Sequence, residues 1–217
     1  LRPPAHAPEF SRVFAARTCM MAGVGLTGVF LWYLVRFWVY GKAVVLTSAP
    51  LTIPAGFLIA GMAVATLIGA ALASWAAGPI SERIEEKNIP VARVVAGACL
   101  LYAAGLALAW GLGVWSTGTA RENGMLLFAL ISGFAFGVYD SLGLELVMDS
   151  LPDPRRAGHD LGIYALANSA GLALAAIIGA LLVNAFEHSF GYYLLFPSAI
   201  VMVLLAGIVT LTTKSAE

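Results

Sequence analysis

Three carboxylates, Asp140, Glu145 and Asp149, lie close together in an otherwise apolar stretch of this chain. A charge in the middle of a bilayer-length helix is unfavourable by roughly 3 kcal/mol on insertion scales, so such residues usually face other helices or water. At about 1.5 Å of rise per residue, Asp140 lies roughly 15 Å from the nearer helix end and is the deepest of the three. Asp140 is therefore the leading candidate for reversible protonation. The alternative is a hydrogen-bonded residue that packs helices together.

Helical geometry separates these carboxylates. At about 100° per residue, Glu145 and Asp149 share one slowly drifting stripe with Ser141, whereas Asp140 points about 140° away from Glu145. On the first apolar stretch, Arg17 lies roughly 9 Å from the same membrane surface to which Glu145 is nearest. We expect Arg17 and Glu145 to form an intramembrane ion pair, which would be functional only if it breaks during a working cycle.

Three polar residues complete the set of cavity candidates. Tyr139 precedes Asp140, and Tyr164 and Asn168 lie four residues apart, on one face of a later apolar helix. Polar side chains in such helices hold neighbouring helices together more often than they bind a ligand. The candidates for proton coupling or substrate binding are Asp140, Glu145, Arg17, Tyr139, Tyr164 and Asn168.

Composition places these residues in a membrane. With 60% hydrophobic residues, 11% charged residues and a mean hydropathy of +0.89, the 217 residues match a polytopic membrane protein whose partner is the lipid bilayer. The net charge of +0 argues against a nucleic-acid partner. Cys19 and Cys99 lack metal-ligand spacing, and no hydrolase or metalloprotease motif occurs, so neither a metal, a cofactor nor an enzymatic activity is predicted.

The apolar stretches predict an all-α membrane protein with six transmembrane helices. Each stretch is near the ~20 residues that a bilayer requires, and the short links make consecutive helices antiparallel neighbours. We expect residues 1–10 to form a cytoplasmic linker or arm, 11–213 the six-helix bundle and 214–217 a cytoplasmic tail. The predicted spans are about 11–40, 52–78, 91–115, 124–150, 158–186 and 191–213.

Basic residues orient this bundle. Nine Lys and Arg residues fall on the termini and the even-numbered loops, against three on the other side, so the positive-inside rule makes both termini cytoplasmic. The nine are Arg2, Arg12, Arg17, Arg83, Lys87, Arg93, Arg155, Arg156 and Lys214, and the three are Arg36, Lys42 and Arg121.

Two turns resemble signatures of the major facilitator superfamily. Residues 78–83, GPISER, are similar to its loop motif of a glycine, three residues, an acid and an arginine, with Glu82 in place of the commoner aspartate. Residues 149–156, DSLPDPRR, resemble its pattern of an acid, a proline and arginines between the tenth and eleventh helices. The stretch from Asp160 to Asn168 resembles a bacterial branch of the superfamily. The resemblance implies the carboxy-terminal six-helix half, with a three-plus-three inverted repeat, in a bacterial inner membrane.

The resemblance also implies a charge network that latches the cytoplasmic side. Its members would be Gly78, Glu82, Arg83, Asp149, Pro152, Arg155, Arg156 and Asp160. The alternative is a solvated basic rim that only sets topology, with Asp160 as an amino-terminal helix cap.

These patterns lead to one expected function and one alternative. The first is half of a secondary active transporter that moves a small organic solute, sugar or drug-like, by alternating access with proton coupling. It would need a second six-helix bundle, in the same chain or from a partner. The alternative is a non-transporting, facilitator-like scaffold or accessory subunit of a membrane complex.

Overall fold

The structure is a computed structural model that describes residues 8–40, 53–115, 118–150, 157–186 and 188–213, and all regular secondary structure in these ranges is helical. Five helices are long and apolar enough to cross a membrane, and six if the bent pair at the start is one span. The helices are α1 (Pro8–Gly28), α2 (Leu31–Tyr33), which continues as a π-helix over Leu34–Val39, α3 (Ile53–Glu86), α4 (Val91–Trp115), α5 (Thr119–Asp149), α6 (Ala157–Ala185) and α7 (His188–Leu211).

The first span is broken, although its sequence predicts one continuous stretch. Helix α1 begins at Pro8, and the chain bends by 40° between α1 and the segment that follows it. Gly28, the last residue of α1, has open space where a side chain would stand. Beyond the bend, the Tyr40 N–H donates to the Val35 carbonyl, a π-helical bond. Breaks of this kind are typical of glycine positions and π-helical turns.

Helix α3 is longer than predicted. The expected end at Gly78 is wrong, because the helix continues through Pro79 to Glu86. It ends where Asn88 takes a positive φ of 49° and the Ile89 N–H donates to the Ile84 carbonyl at 3.0 Å. This is a Schellman motif, in which a left-handed residue, here asparagine, closes the last turn. Most of the predicted loop is therefore helical, and the GPISER signature lies on α3.

The bundle consists of two groups of three helices. Helix α1 packs against α6 and α7, α5 packs against α3 and α4, and α4 joins α7 across the middle. Val13, Ala92, Val147 and Leu161 pack in one cluster, which brings together the starts of α1, α4 and α6 and the end of α5. The end of α7 joins them, since Arg12 Nη1 donates to the Thr212 carbonyl at 2.8 Å. Consecutive spans therefore alternate in direction, as predicted.

Glycines allow α3 and α5 to touch through their backbones. A Cβ atom on Gly133 would overlap the carbonyl group of Thr66, and one on Gly69 would overlap the carbonyl oxygen of Leu130 and lie 2.7 Å from the Phe134 nitrogen. Close approach through small residues is a common way to pack helices in a membrane, where the hydrophobic effect does not drive association.

We expect Gly133→Ala to destabilise the bundle by roughly 1–3 kcal/mol, the usual effect of overpacking. Here the clashing atoms belong to backbone and cannot rotate away. Gly143→Ala is the matched control, since Gly143 lies on the same helix and a methyl group at this position would have nothing within 4 Å. Thermal unfolding in detergent measures both, and equal melting temperatures for the two variants would contradict the interface.

Candidate functional site

Arg17 is the centre of the candidate site. It lies on α1, with 9% of its side chain exposed, and its Nη1 atom is 2.7 Å from Oδ1 of Asp140 on α5. Its Nε–H donates to Oδ1 of Asn168 on α6 at 2.8 Å. One guanidinium group thus connects three helices, and hydrogen bonds to a charged partner are among the stronger ones in proteins.

Three aromatic rings surround the same guanidinium group. The Cζ atom of Arg17 is 5.6 Å from the ring centres of Phe136 and Tyr139 and 5.8 Å from that of Tyr164. At these distances the faces of aromatic rings attract a cation, and the attraction is stronger where water is excluded. The buried charge is therefore compensated by a carboxylate, an amide oxygen and ring faces together.

The structure brings together five of the six cavity candidates, namely Arg17, Tyr139, Asp140, Tyr164 and Asn168. Glu145 is the exception. The predicted ion pair between Arg17 and Glu145 is wrong, because the carboxylate beside Arg17 is that of Asp140, and Glu145 is exposed. The two acids point about 140° apart on α5, so only one of them can face α1.

Phe136 belongs to the site although no sequence pattern predicts it. It lies four residues before Asp140, so it shares a face of α5 with that carboxylate. The same spacing that identifies Tyr164 and Asn168 as neighbours applies to Phe136 and Asp140. A phenylalanine in an apolar helix carries no polar signal, so its packing against Arg17 becomes visible only in the structure.

A cavity of about 380 Å³ opens beside the site, among α1, α3, α4 and α5. Asp140 and Phe136 both line it, and 55% of the Asp140 side chain is exposed. Asp140 thus belongs to two environments, since it pairs with buried Arg17 and also faces space that a solute or water could enter. An ionisable residue of this kind inside a membrane bundle marks a functional site by default.

The predicted cytoplasmic network is only partly described. Gly78, Glu82 and Arg83 are exposed on the last turns of α3, and Asp160 is buried in the first turn of α6, with one oxygen 3.2 Å from Nδ1 of His159. The side chain of Asp149 and the residues Pro152, Arg155 and Arg156 lie outside the described parts of the structure. The network remains a prediction.

Within the described ranges, no group of three or more His, Cys, Asp or Glu side chains could hold a metal ion. Both cysteines are free thiols, with Cys99 buried and Cys19 partly buried.

Comparison with known proteins identifies the family. The family model of the Major Facilitator Superfamily matches residues 55–217, which is more than half of the chain and includes both turns that resemble its signatures. No curated protein and no solved structure matches the chain significantly. The match points to a transporter, as opposed to an enzyme, and the apolar helices provide the contact with a lipid bilayer. The chain is a multi-pass membrane protein that belongs to the Major Facilitator Superfamily.

Proposed function

We propose that this chain is one six-helix half of a proton-coupled secondary transporter, which moves a small organic solute by alternating access. Asp140 would be the coupling residue, and Arg17, Tyr139, Tyr164 and Asn168 would form the wall of its site. One observation carries the proposal: Asp140 is paired with a buried arginine and also lines a cavity.

Protonation of Asp140 would change the balance of charge around Arg17. A buried arginine beside a neutral partner is less well compensated than one beside a carboxylate. Arg17 would keep its hydrogen bond to Asn168 and its contacts with three rings. The arrangement of α1, α5 and α6 that has the lowest free energy when Asp140 is ionised therefore need not have the lowest free energy when Asp140 is neutral. A proton could then bias the equilibrium between two arrangements of these helices.

We also propose the three-plus-three inverted repeat, with α1, α3 and α4 equivalent to α5, α6 and α7. Matching contacts support it. A Cβ on Gly25 of α1 would lie 2.6 Å from the Ala175 Cβ of α6, and one on Gly137 of α5 would lie 2.6 Å from the Ala73 Cβ of α3. Inversion agrees with the packing, because the start of α1 and the end of α5 meet at one end of the bundle.

A second pair of contacts follows the same equivalence. Gly171 of α6 faces the Thr18 carbonyl oxygen of α1, as Gly69 of α3 faces the Leu130 carbonyl oxygen of α5. Gly25 and Gly137 are 112 positions apart, as are Thr18 and Leu130, and Gly69 and Gly171 are 102 positions apart, as are Ala73 and Ala175. A duplicated three-helix unit would produce such a constant sequence offset for each pair of equivalent helices.

The proposed placement is a bacterial inner membrane with both termini, the arm 1–10 and the tail 214–217 on the cytoplasmic side. The excess of Lys and Arg at that end supports it. A second six-helix bundle, in cis or in trans, would complete the transport path. Large exposed apolar side chains on α3, such as Phe57, Leu67 and Trp75, are available to contact lipid or that bundle. The scaffold alternative is not favoured, because the family match points to a transporter.

The test uses the natural protein that contains this chain, reconstituted into liposomes with a trapped pH-sensitive dye. With an acidic exterior, we expect at least one member of a panel of sugars, amines and drug-like solutes to change the rate of proton entry relative to protein-free liposomes, faster for symport and slower for antiport. An unchanged rate with every one of these solutes, with the protein intact and correctly inserted, would contradict proton coupling.

A further inference from the structure

Four hydroxyl side chains line the cavity beside Asp140, two from α3 and two from α5. Each donates its hydrogen to a carbonyl of its own helix. The bonds run from Thr66 to Met62 at 2.9 Å, from Ser74 to Ala70 at 3.1 Å, from Ser132 to Ala129 at 3.0 Å and from Ser141 to Gly137 at 2.9 Å.

This arrangement leaves oxygen lone pairs towards the cavity. A hydroxyl group has one hydrogen to donate and two lone pairs that accept. While the four hydrogens are engaged by the helix backbone, the hydroxyl oxygens offer a ligand acceptor sites. Tyr102, the other hydroxyl-bearing residue of this wall, is buried.

The charged group that faces the cavity beside these oxygens is a carboxylate. The Asp140 carboxylate, an acceptor in its ionised form, is more than half exposed, whereas Arg17 is buried and directed at Asp140, Asn168 and three rings. A solute in the cavity therefore meets a carboxylate and hydroxyl acceptors, with the ring of Phe136 as apolar surface. A carboxylate or phosphate on the solute would be repelled, and an ammonium group would find an opposite charge and several acceptors.

We propose that this cavity selects organic cations, specifically protonated amines that carry a small apolar or aromatic body. The ammonium hydrogens would be donated to Asp140 and to hydroxyl oxygens such as that of Thr66, and the body would lie against Phe136. The cavity volume, about 380 Å³, is within the usual range for sites of small organic ligands. The inference rests on the proposed transport function and names the solute class for its site.

The test compares three probes of similar size that differ in charge: 2-phenylethylamine as the cation, 2-phenylethanol as the neutral compound and phenylacetate as the anion. Equilibrium dialysis of the radiolabelled amine against the natural protein in detergent, with detergent alone subtracted, gives its affinity, and the other two compete. We expect the amine to bind about tenfold or more tightly than either competitor, which corresponds to about 1.4 kcal/mol.

A pair of conservative variants locates the binding. Thr66→Val removes one acceptor from the cavity wall and should weaken amine binding by about three- to tenfold, the range of one net hydrogen bond. Thr210→Val is the matched control, because Thr210 makes the same bond to its own helix, to the Ala206 carbonyl at 2.8 Å, and lies on α7, which is not among the helices that line the cavity.

The outcomes separate this inference from the transport proposal. Tighter binding of phenylacetate, equal binding of all three probes or no binding of the amine would overturn the selectivity for cations. If the protein then still coupled proton entry to a sugar or an acid, the transport proposal would stand without it. Amine binding without any solute-dependent proton entry would support the cavity's selectivity and contradict proton coupling.

Discussion

Asp140→Asn is expected to reduce proton-driven solute accumulation by roughly tenfold or more, equivalent to at least about 1.4 kcal/mol of lost coupling. The amide keeps the size of the side chain and an oxygen that can accept from Arg17, but it has no proton to gain or lose. Any uptake that remains should be the same with and without a pH gradient. The measurement is solute uptake into proteoliposomes at several external pH values.

Glu145→Gln is the matched control for this variant. It makes the same chemical change on the same helix, at a carboxylate that is exposed and does not pair with Arg17. We expect its gradient-dependent uptake to resemble that of the natural protein. If Glu145→Gln lost the dependence on the pH gradient and Asp140→Asn kept it, the coupling role would belong to Glu145.

The second large effect is on stability: replacing Asp140 should destabilise the protein more than replacing its partner, Arg17. Asp140→Ala would leave a buried arginine without its carboxylate, and we expect a loss of roughly 3–5 kcal/mol in the free energy of unfolding. Arg17→Met would leave a carboxylate that is 55% exposed and can be hydrated, so its effect should be smaller. The double variant replaces the pair by apolar side chains, which is often nearly neutral. It should therefore be more stable than Asp140→Ala alone.

A double-mutant cycle measures this effect. It compares denaturant unfolding of the natural protein, both single variants and the double variant in the same detergent. A second cycle with Arg17→Met and Glu145→Ala should be additive, because these residues are not partners. A coupling energy in the Arg17–Glu145 cycle that exceeds the one in the Arg17–Asp140 cycle would contradict the geometry of the site.

Hydropathy predicts most of the helical frame because membrane spans are defined by length and apolarity. Helix α4 has its predicted bounds, Val91–Trp115. The break after Gly28 is not predicted, since the apolar stretch continues through it and only backbone geometry changes. The extension of α3 is not predicted either, because a glycine followed by a proline usually ends a helix, whereas the residues after Pro79 favour a helix that closes only at Asn88.

The site illustrates a different limit. The sequence determines the angle between residues of one helix but not the rotation of that helix against its neighbours. On α5, Gly133 and Gly137 face α3, which fixes this rotation. Relative to Gly137, Asp140 lies about 60° to one side of the contact and Glu145 about 80° to the other. Judged by depth in the membrane alone, Glu145 is a plausible partner for Arg17. The rotation of α5 instead turns Asp140 towards Arg17.

The most direct test of the central claim is to observe the protonation of Asp140 itself. Infrared difference spectroscopy of the natural protein in lipid, between neutral and acidic pH, detects carboxyl groups that gain a proton. We predict a protonated-carboxyl band that is present in the natural protein and in Glu145→Gln but missing in Asp140→Asn. A spectrum in which Asp140→Asn keeps every such band would show that Asp140 does not exchange protons, and would contradict the account.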